Sequence, residues 1–260
     1  MPSPNTDKTP FFIVGMGRTG STFLYHMLEA HPRIALTNES RVFDFFYLSY
    51  QMASLSEGEE AASDVFGVDK LQGIMASPHN LVFRGALIGP MREAIRGFYE
   101  QSFPDKQWTH YGDKLPSIHA AMEYRRLEPT TKYIELLRDP RDIVVSVRKV
   151  EWSIDLASTC EMWCRIHEHA KEIGDRLQIR YEDLVRQPLD CAAKALGHLG
   201  LAMDEACKVA LETNSTFSWH GTSKTPESSI GRWRGELSEA DLDHIHQRCG
   251  DLMREQGYLS

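Results

Sequence analysis

The sequence predicts a single P-loop-like α/β domain of 260 residues, in which a mostly parallel sheet is flanked by helices. Three observations support this prediction. Short apolar segments alternate with segments whose apolar residues recur at helical spacing, which is typical of βαβ units. A glycine-rich turn follows the first apolar segment and leads into an amphipathic helix, as in phosphate-binding loops. The length is sufficient for one large domain with a sizeable core.

Five short apolar runs are predicted to be strands, at 11–14, 34–36, 108–111, 132–137 and 177–181. Amphipathic spacing predicts the helices. His31-Pro32 ends the first helix, and Asp139-Pro140 begins the fifth, with Asp as the cap and Pro in the first turn. The predicted helices cover 22–30, 43–52, 91–103, 117–127, a segment from 140, 156–173, 188–199 and 237–256.

Three segments of the domain 1–260 do not fit this alternation. Residues 1–9 are polar and contain proline, which predicts a loose tail. Residues 54–90 are irregular and rich in glycine, and we interpret them as a possible lid or substrate-specificity region. Residues 214–229 are rich in Ser, Thr, Gly and Pro, which predicts a flexible loop.

The composition narrows the class of protein. A formal net charge of −8 and a pI of about 5.8 argue against a nucleic-acid partner. No apolar run approaches the roughly 18 residues that a membrane span needs, and the N-terminal residues lack an apolar signal core. We therefore expect a cytoplasmic protein with no membrane span. The five cysteines are scattered, which predicts reduced thiols.

The turn after the first predicted strand, Gly15-Met16-Gly17-Arg18-Thr19-Gly20-Ser21-Thr22, predicts an anion site. Its backbone N–H groups and the N-terminus of the following helix attract negative charge. The spacing is that of a P-loop, but Ser21 stands where a nucleotide triphosphatase has Lys. The positive charge lies instead at Arg18. A turn with no ligand is the alternative interpretation.

Polar residues follow the other predicted strands, at the sheet edge where open parallel sheets bind ligands. They are Glu39, Lys114, Arg138 and Tyr181. The basic residues could hold a polyanion, and the carboxylate could act as a base. A different interpretation pairs Arg138 with Asp139 or Asp142 at a helix start. It also pairs Lys114 with Asp113.

Histidine spacing predicts no metal site. His167 and His169 are two residues apart, as are His244 and His246. In helices, residues at this spacing point away from each other. We interpret these histidines as surface or core residues.

Four stretches resemble the sulfotransferases that use 3′-phosphoadenosine 5′-phosphosulfate (PAPS). The resemblance is strongest to the branch that includes tyrosylprotein sulfotransferases and bacterial small-molecule and glycolipid sulfotransferases. It extends from residue 11 to about 235 and is carried by 14–32, 112–116, 137–146, and 181–188 with 229–233. It implies PAPS as co-substrate, 3′-phosphoadenosine 5′-phosphate (PAP) as product and no metal. A nucleotide kinase or NTPase, and a non-catalytic nucleotide-binding module, are the alternatives.

The resemblance also implies roles for individual residues. Arg18 would contact the transferring sulfuryl group, Glu39 would take the proton of the acceptor hydroxyl, and Lys114 would lie near the bridging oxygen. Ser218 is the match for a late hydroxyl beside the sulfate, with Ser215 and His220 as rivals. The lack of a secretory signal argues against protein-tyrosine sulfation in a secretory compartment, so we expect a small-molecule, lipid or carrier-bound hydroxyl as the acceptor. Aromatic residues between 43 and 50 would form either an acceptor pocket or core.

The remaining implied contacts are to the nucleotide. Residues of the glycine-rich turn would bind the 5′-phosphosulfate, namely Gly17, Arg18, Thr19, Gly20, Ser21 and Thr22. Arg138 and Ser146 would hold the 3′-phosphate with help from Arg232. Tyr181 and Trp233 would line the nucleotide pocket.

Overall fold

A computed structural model describes residues 8–55, 84–150, 154–213 and 221–259. The described strands form one sheet in the order β2-β3-β1-β4-β5, and every neighbouring pair is parallel. The predicted α/β fold with a parallel sheet is confirmed. The strands are β1 (Thr9–Gly15), β2 (Ile34–Asn38), β3 (His110–Lys114), β4 (Lys132–Leu137) and β5 (Leu177–Arg180).

Helices connect the strands and cover both faces of the sheet. The α-helices of the described residues are α1 (Ser21–Glu29), α2 (Val42–Leu55), α3 (Arg84–Ser102), α4 (Ile118–Leu127), α5 (Pro140–Lys149), α6 (Leu156–Glu172), α7 (Tyr181–Arg186), α8 (Pro188–Leu199), α9 (Glu205–Thr213), α10 (Trp233–Glu236) and α11 (Glu239–Glu255). A 3₁₀ turn, Glu227–Ser229, precedes α10. Helices α7, α9 and α10 were not predicted from the sequence.

The two faces of β1 show how the core is divided. Phe11 and Ile13 pack with residues of α1 and α8, whereas Phe12 and Val14 pack with residues of α2, α3 and α4. This alternation is the two-residue period of a strand buried on both faces. A third apolar cluster joins α5, α6 and α11.

Strand β3 lies further along the chain than predicted. The prediction placed it at 108–111, but it extends to Lys114 because β1 and β2 pair with it on both sides. Tertiary pairing overrides the weak strand preference of Gly112 and Asp113. Glycine is required at 112, since a Cβ there would lie 1.6 Å from the carbonyl oxygen of Phe11.

The start of α5 follows the predicted capping pattern. Asp139 is the N-cap and its side chain accepts a hydrogen bond from the backbone N–H of Arg141. Pro140 occupies the first turn. The cap places Arg138 at the last position before the helix, at the carboxyl edge of the sheet.

Other predictions have mixed outcomes. All five cysteines are free, and none of the described helices is long and apolar enough to cross a membrane. Phe43 is buried in the core, whereas Phe45 is 66% exposed, so the aromatic segment is only partly core. Residues 54–55 end α2 and 84–90 begin α3. The rest of the possible lid, the tail residues 1–7 and loop residues 214–220 lie outside the described residues.

Candidate active site

The loop between β1 and α1 needs its glycines because neighbouring groups press against it. Gly15 has φ 144°, and a Cβ there would lie 2.6 Å from the carbonyl oxygen of Leu136. Gly20 has φ 80°, and a Cβ there would lie 2.8 Å from the ring of Tyr181. The buried Thr19 donates its hydroxyl proton to the Met16 carbonyl oxygen at 2.7 Å, which closes the loop on itself. The Thr19 hydroxyl proton is therefore not available to an anion.

Arg18, Arg138 and Ser146 come together beside this loop. Arg18 Nε donates to Ser146 Oγ at 2.9 Å. Arg138 Nη1 donates to the Arg18 carbonyl oxygen at 2.8 Å, and its guanidinium lies 4.0 Å from the ring centroid of Tyr181. Arg18 is thus in contact with two residues that lie 120 and 128 positions further along the chain.

Arg232 adds a third cation to this group. Burial lowers the pKa of Arg18, and repulsion from Arg138 and Arg232 lowers it further. Burial likewise lowers the pKa of Arg232, with Arg138 as the next cause. Two carboxylates near Arg138, Asp142 and Glu182, accept hydrogen bonds from backbone N–H groups. These carboxylates offset part of the positive charge. The remaining repulsion among the arginines favours binding of an anion between them.

A cavity of about 290 Å³ opens next to the arginines. Its wall includes apolar side chains, among them Phe23, Val185 and Leu211. Seven of the predicted binding residues also line it, namely Arg18, Gly20, Ser21, Thr22, Arg138, Ser146 and Tyr181. A cavity with a cationic end and an apolar wall can accept a nucleotide.

Sequence reasoning missed Thr222 and Ser229, which complete the cavity. Thr222 Oγ1 lies 3.2 Å from Ser146 Oγ and accepts a hydrogen bond from Arg232 Nη2 at 2.8 Å. Ser229 accepts through its carbonyl oxygen from Arg138 Nη2 at 2.9 Å. Its hydroxyl lies 2.7 Å from the Tyr181 hydroxyl. The hydroxyl-rich composition of 221–229 was the signal that could have identified them.

The segment after Ser229 is fastened to α5 by the carboxylate of Asp142. This group accepts from the backbone N–H of Gly231 at 2.6 Å and from that of Trp233 at 3.1 Å. The Trp233 ring lies 3.9 Å from the Arg141 guanidinium and 4.4 Å from that of Arg234. Trp233 is not among the described residues that line the cavity, so its contact with a nucleotide stays a prediction. Ser218, Ser215 and His220 lie outside the described residues.

Lys114 connects the glycine-rich loop to Glu39. Its side chain is only 4% exposed, and Nζ donates to Glu39 Oε1 at 2.8 Å and to Thr22 Oγ1 at 3.1 Å. Glu39 is 43% exposed, so solvent and an acceptor can reach it. The Lys114 ammonium group binds Glu39 and Thr22 and not Asp113, which was the alternative pairing. The Asp113 carboxylate accepts the backbone N–H of Lys114 instead. Arg138 contacts carbonyl oxygens rather than Asp139, whose carboxylate binds Arg141.

Backbone strain is concentrated around the same residues. The described non-glycine residues with left-handed φ are Arg18 (73°), Glu39 (52°), Arg41 (62°) and Leu115 (52°). Such a conformation costs about 1–3 kcal/mol and is found most often at functional sites. Three strand ends therefore carry strained residues at one edge of the sheet, as expected for an active site.

A protein-family model described as "Sulfotransferase family" matches residues 10–205. The chain belongs to the sulfotransferase family. This assignment confirms the family and the enzyme class that the motifs predicted.

The chain is also similar to individual sulfotransferases. It is 28% identical to protein-tyrosine sulfotransferase 1 of Danio rerio over 214 residues, which cover 78% of this chain and 56% of that protein. The chain thus spans just over half the length of that relative.

Solved structures share the fold of this sulfotransferase. The sulfotransferase domain of the Synechococcus PCC 7002 olefin synthase matches with a TM-score of 0.58 and 19% identity, over 95% of this chain and 97% of that one. The sulfotransferase domain from the curacin biosynthetic pathway matches with a TM-score of 0.56 and 16% identity, over 94% of this chain and 98% of that one. Mouse sulfotransferase SULT7A1, solved with PAP, matches with a TM-score of 0.52 and 12% identity, over 98% of this chain and 89% of that one.

Proposed function

We propose that this sulfotransferase uses PAPS as donor and transfers its sulfuryl group, without a metal, to a hydroxyl of a small-molecule, lipid or carrier-bound acceptor. Glu39 would act as the general base. The observation that carries the proposal is the arrangement at the sheet edge. The guanidinium groups of Arg18 and Arg138 line one end of a cavity, and Arg232 donates a hydrogen bond to Thr222 in its wall. The glycine-rich loop is connected through Thr22 and Lys114 to the accessible carboxylate of Glu39.

The cavity residues fit a nucleotide that carries anionic groups at two places. Arg138 and Arg232 each have a buried Nε atom without a hydrogen-bond partner in the structure. Together with Ser146 they would hold the 3′-phosphate. The backbone N–H groups at the start of α1 and the side chain of Arg18 would hold the 5′-phosphosulfate. The structures of mouse SULT7A1 and of retinol dehydratase, both described with PAP, support this choice of nucleotide.

The donor supplies an activated sulfuryl group, and the protein supplies position and charge. A sulfate ester carries less charge than a phosphate ester, so side-chain cations suffice to balance it. Lys114 would offset negative charge that develops on the leaving oxygen, and its contact with Thr22 at the start of α1 supports this role. Glu39 would accept the proton of the acceptor hydroxyl, by analogy with in-line phosphoryl transfer.

The class of acceptor is part of the proposal. The zebrafish relative is named as a protein-tyrosine sulfotransferase, and this chain spans 56% of its length. For this chain we propose a small-molecule, lipid or carrier-bound hydroxyl as the acceptor. The cytoplasmic location expected from the sequence stays a prediction.

Thermal denaturation with nucleotides tests the proposal. PAP at 100 times its Kd, with EDTA present, should stabilise the protein by about 2.7 kcal/mol and raise Tm by about 5–10 °C. Adenosine 5′-phosphate at the same concentration is the matched control and should raise Tm less, because it lacks the 3′-phosphate. Stabilisation by Mg-ATP alone would contradict the proposal and favour a nucleotide kinase or NTPase.

A further inference from the structure

Asp113 is a fully buried carboxylate that the mechanism above does not use. It lies on β3 directly before Lys114, and burial raises its pKa above the usual range. Neutral groups surround it. Thr37 Oγ1 donates to Oδ1 at 2.9 Å, Ser40 Oγ donates to Oδ2 at 3.1 Å, and the Lys114 backbone N–H donates to Oδ1 at 3.0 Å.

These contacts enclose the turn that carries Glu39. Thr37 and Ser40 flank it on either side, and the backbone N–H of Ser40 also donates to Oδ2, at 3.2 Å. The backbone N–H of Glu39 donates to the Lys114 carbonyl oxygen at 3.2 Å. Glu39 has a left-handed φ of 52°, which a short turn keeps only when its surroundings hold it. The hydrogen bonds to the Asp113 carboxylate fix much of the conformation of this turn.

Two hydroxyl groups, those of Thr37 and Ser40, donate hydrogen bonds to Asp113. The Tyr99 hydroxyl donates to the Gly112 carbonyl oxygen at 2.6 Å. The Thr37 hydroxyl lies 2.9 Å from Asp113 Oδ1 and 3.1 Å from that carbonyl oxygen, and the carboxylate is the nearer of these two acceptors. Ser40 Oγ donates to Asp113 and accepts from the backbone N–H of Val42 at 3.4 Å, where α2 begins. The carboxylate thus connects the end of β2, the turn and the first residue of α2.

We infer that Asp113 is a positioning residue for the proposed sulfuryl transfer, because its carboxylate holds the 37–40 turn so that Glu39 stays beside Lys114. This inference rests on the proposed function. Asp113 accepts hydrogen bonds from both sides of the Glu39 turn and touches neither the arginines nor the cavity lining. It acts on Glu39 and not on the nucleotide.

The Asp113→Asn variant tests this inference. An amide has the same shape as a carboxylate, but one of its two oxygens is replaced by an NH₂ group. That NH₂ group would face a hydrogen-bond donor of the turn, so the turn must rearrange. Glu135→Gln is the matched control, because Glu135 is an equally buried carboxylate on β4 that contacts other residues. Ser40→Ala is a milder second variant that removes one donor and keeps Asp113.

The first measurement is the carbon NMR signal of the Glu39 carboxylate in protein labelled at glutamate, assigned by its loss in Glu39→Gln. We expect this signal to move in D113N, to move less in S40A and to stay in place in E135Q. A stationary signal in both D113N and S40A, with the proteins folded, would overturn the inference.

The second measurement is hydrolysis of PAPS to PAP with water as the acceptor, which needs no knowledge of the natural acceptor. We expect kcat to fall about 100-fold in D113N, since a displacement near 1 Å costs that much, and about 10-fold in S40A. The Kd of PAP by calorimetry should stay within about twofold of wild type. A fall in PAP affinity that matches the fall in kcat would contradict a positioning role. Wild-type hydrolysis in E39Q would refute the proposed base, while the NMR measurement would still test what Asp113 holds.

Discussion

Glu135 and Asp113 are both buried carboxylates on strands that flank β1, and their surroundings differ in charge. Glu135 accepts from His167 Nδ1 at 2.6 Å, from Arg176 Nε at 2.6 Å and from Gln178 Nε2 at 3.1 Å. Burial raises its pKa, but these bonds and charges outweigh burial and hold the pKa below its usual value. Asp113 is surrounded by hydroxyls and backbone N–H groups, and burial raises its pKa.

The charged residues around Glu135 and those at the sheet edge differ in whether they bind one another. In the Glu135 cluster, positive and negative groups bind each other, so little is left for a ligand. At the sheet edge, Arg18, Arg138 and Arg232 repel one another, and Glu39 stays accessible on a strained turn. A cluster of like charges and an accessible carboxylate are the features expected where an anion and a hydroxyl bind.

Glu39→Gln should cause the largest loss. Removing a general base lowers the rate by about 10²–10⁴-fold, and we expect a fall in kcat of about 1,000-fold in PAPS turnover. The Kd of PAP measured by calorimetry should change by less than about twofold, since the hydrogen bond and ion pairs of the Glu39 carboxylate are made with Lys114 and Arg41 and not with Arg18, Arg138 or Arg232. Unchanged turnover would remove Glu39 from the mechanism.

Arg138→Ala should weaken PAP binding about 100-fold, because a charged hydrogen-bonded contact to the 3′-phosphate is lost. Binding of adenosine 5′-phosphate should weaken much less, and calorimetry of both nucleotides measures the difference. Arg176→Ala is the matched control, since this arginine binds Glu135 in the balanced cluster. It should lower Tm and leave PAP affinity unchanged. Equal losses for both nucleotides in R138A would contradict the assignment.

Glu135→Gln should lower the free energy of unfolding by about 2 kcal/mol at pH 7, since His167 and Arg176 lose a charged partner. The pKa of Glu135 is lower in the folded state than in the unfolded state, so its contribution exists above about pH 4.3. It disappears as the pH falls below that value. Urea denaturation of both proteins from pH 7 to pH 3 measures the gap, and a gap that widens in acid would contradict this account.

Treatment with EDTA should have the smallest effect. The proposal assigns the balancing of charge to arginine and lysine side chains, so PAPS turnover should stay within about 20% of its untreated value, in contrast to Mg-dependent phosphoryl transfer. Turnover assays with EDTA and after addition of excess MgCl₂ check this. Loss of turnover that MgCl₂ restores would show that a metal takes part.

Local sequence patterns predicted the parts of the site that lie in single segments. The glycine spacing located the loop, and Asp139-Pro140 located the helix start after Arg138. The end of β3 was misplaced, because the pairing of Gly112 and Asp113 depends on two neighbouring strands. Helix α7 was missed for a similar reason, since Tyr181 follows β5 without a turn.

Contacts between distant segments could not be predicted from these patterns. Nothing local pairs Ser229 with Arg138 or Thr222 with Ser146, since 91 and 76 positions separate them. The resemblance supplied Ser146 and Arg232, but it did not supply Asp113, whose role depends on the turn after β2. Residues that act through a neighbouring strand are visible only once the strand order is known.

The Arg138 side chain joins the Arg18 carbonyl oxygen to the Ser229 carbonyl oxygen, so the walls of the cavity come from nearly the whole length of the chain. During synthesis on the ribosome, the glycine-rich loop emerges long before Ser229 does. A nascent chain, or one truncated before Ser229, lacks part of the cavity wall. If the cavity holds the proposed nucleotide, PAP should protect the 260-residue chain from proteolysis without protecting fragments that end before Ser229.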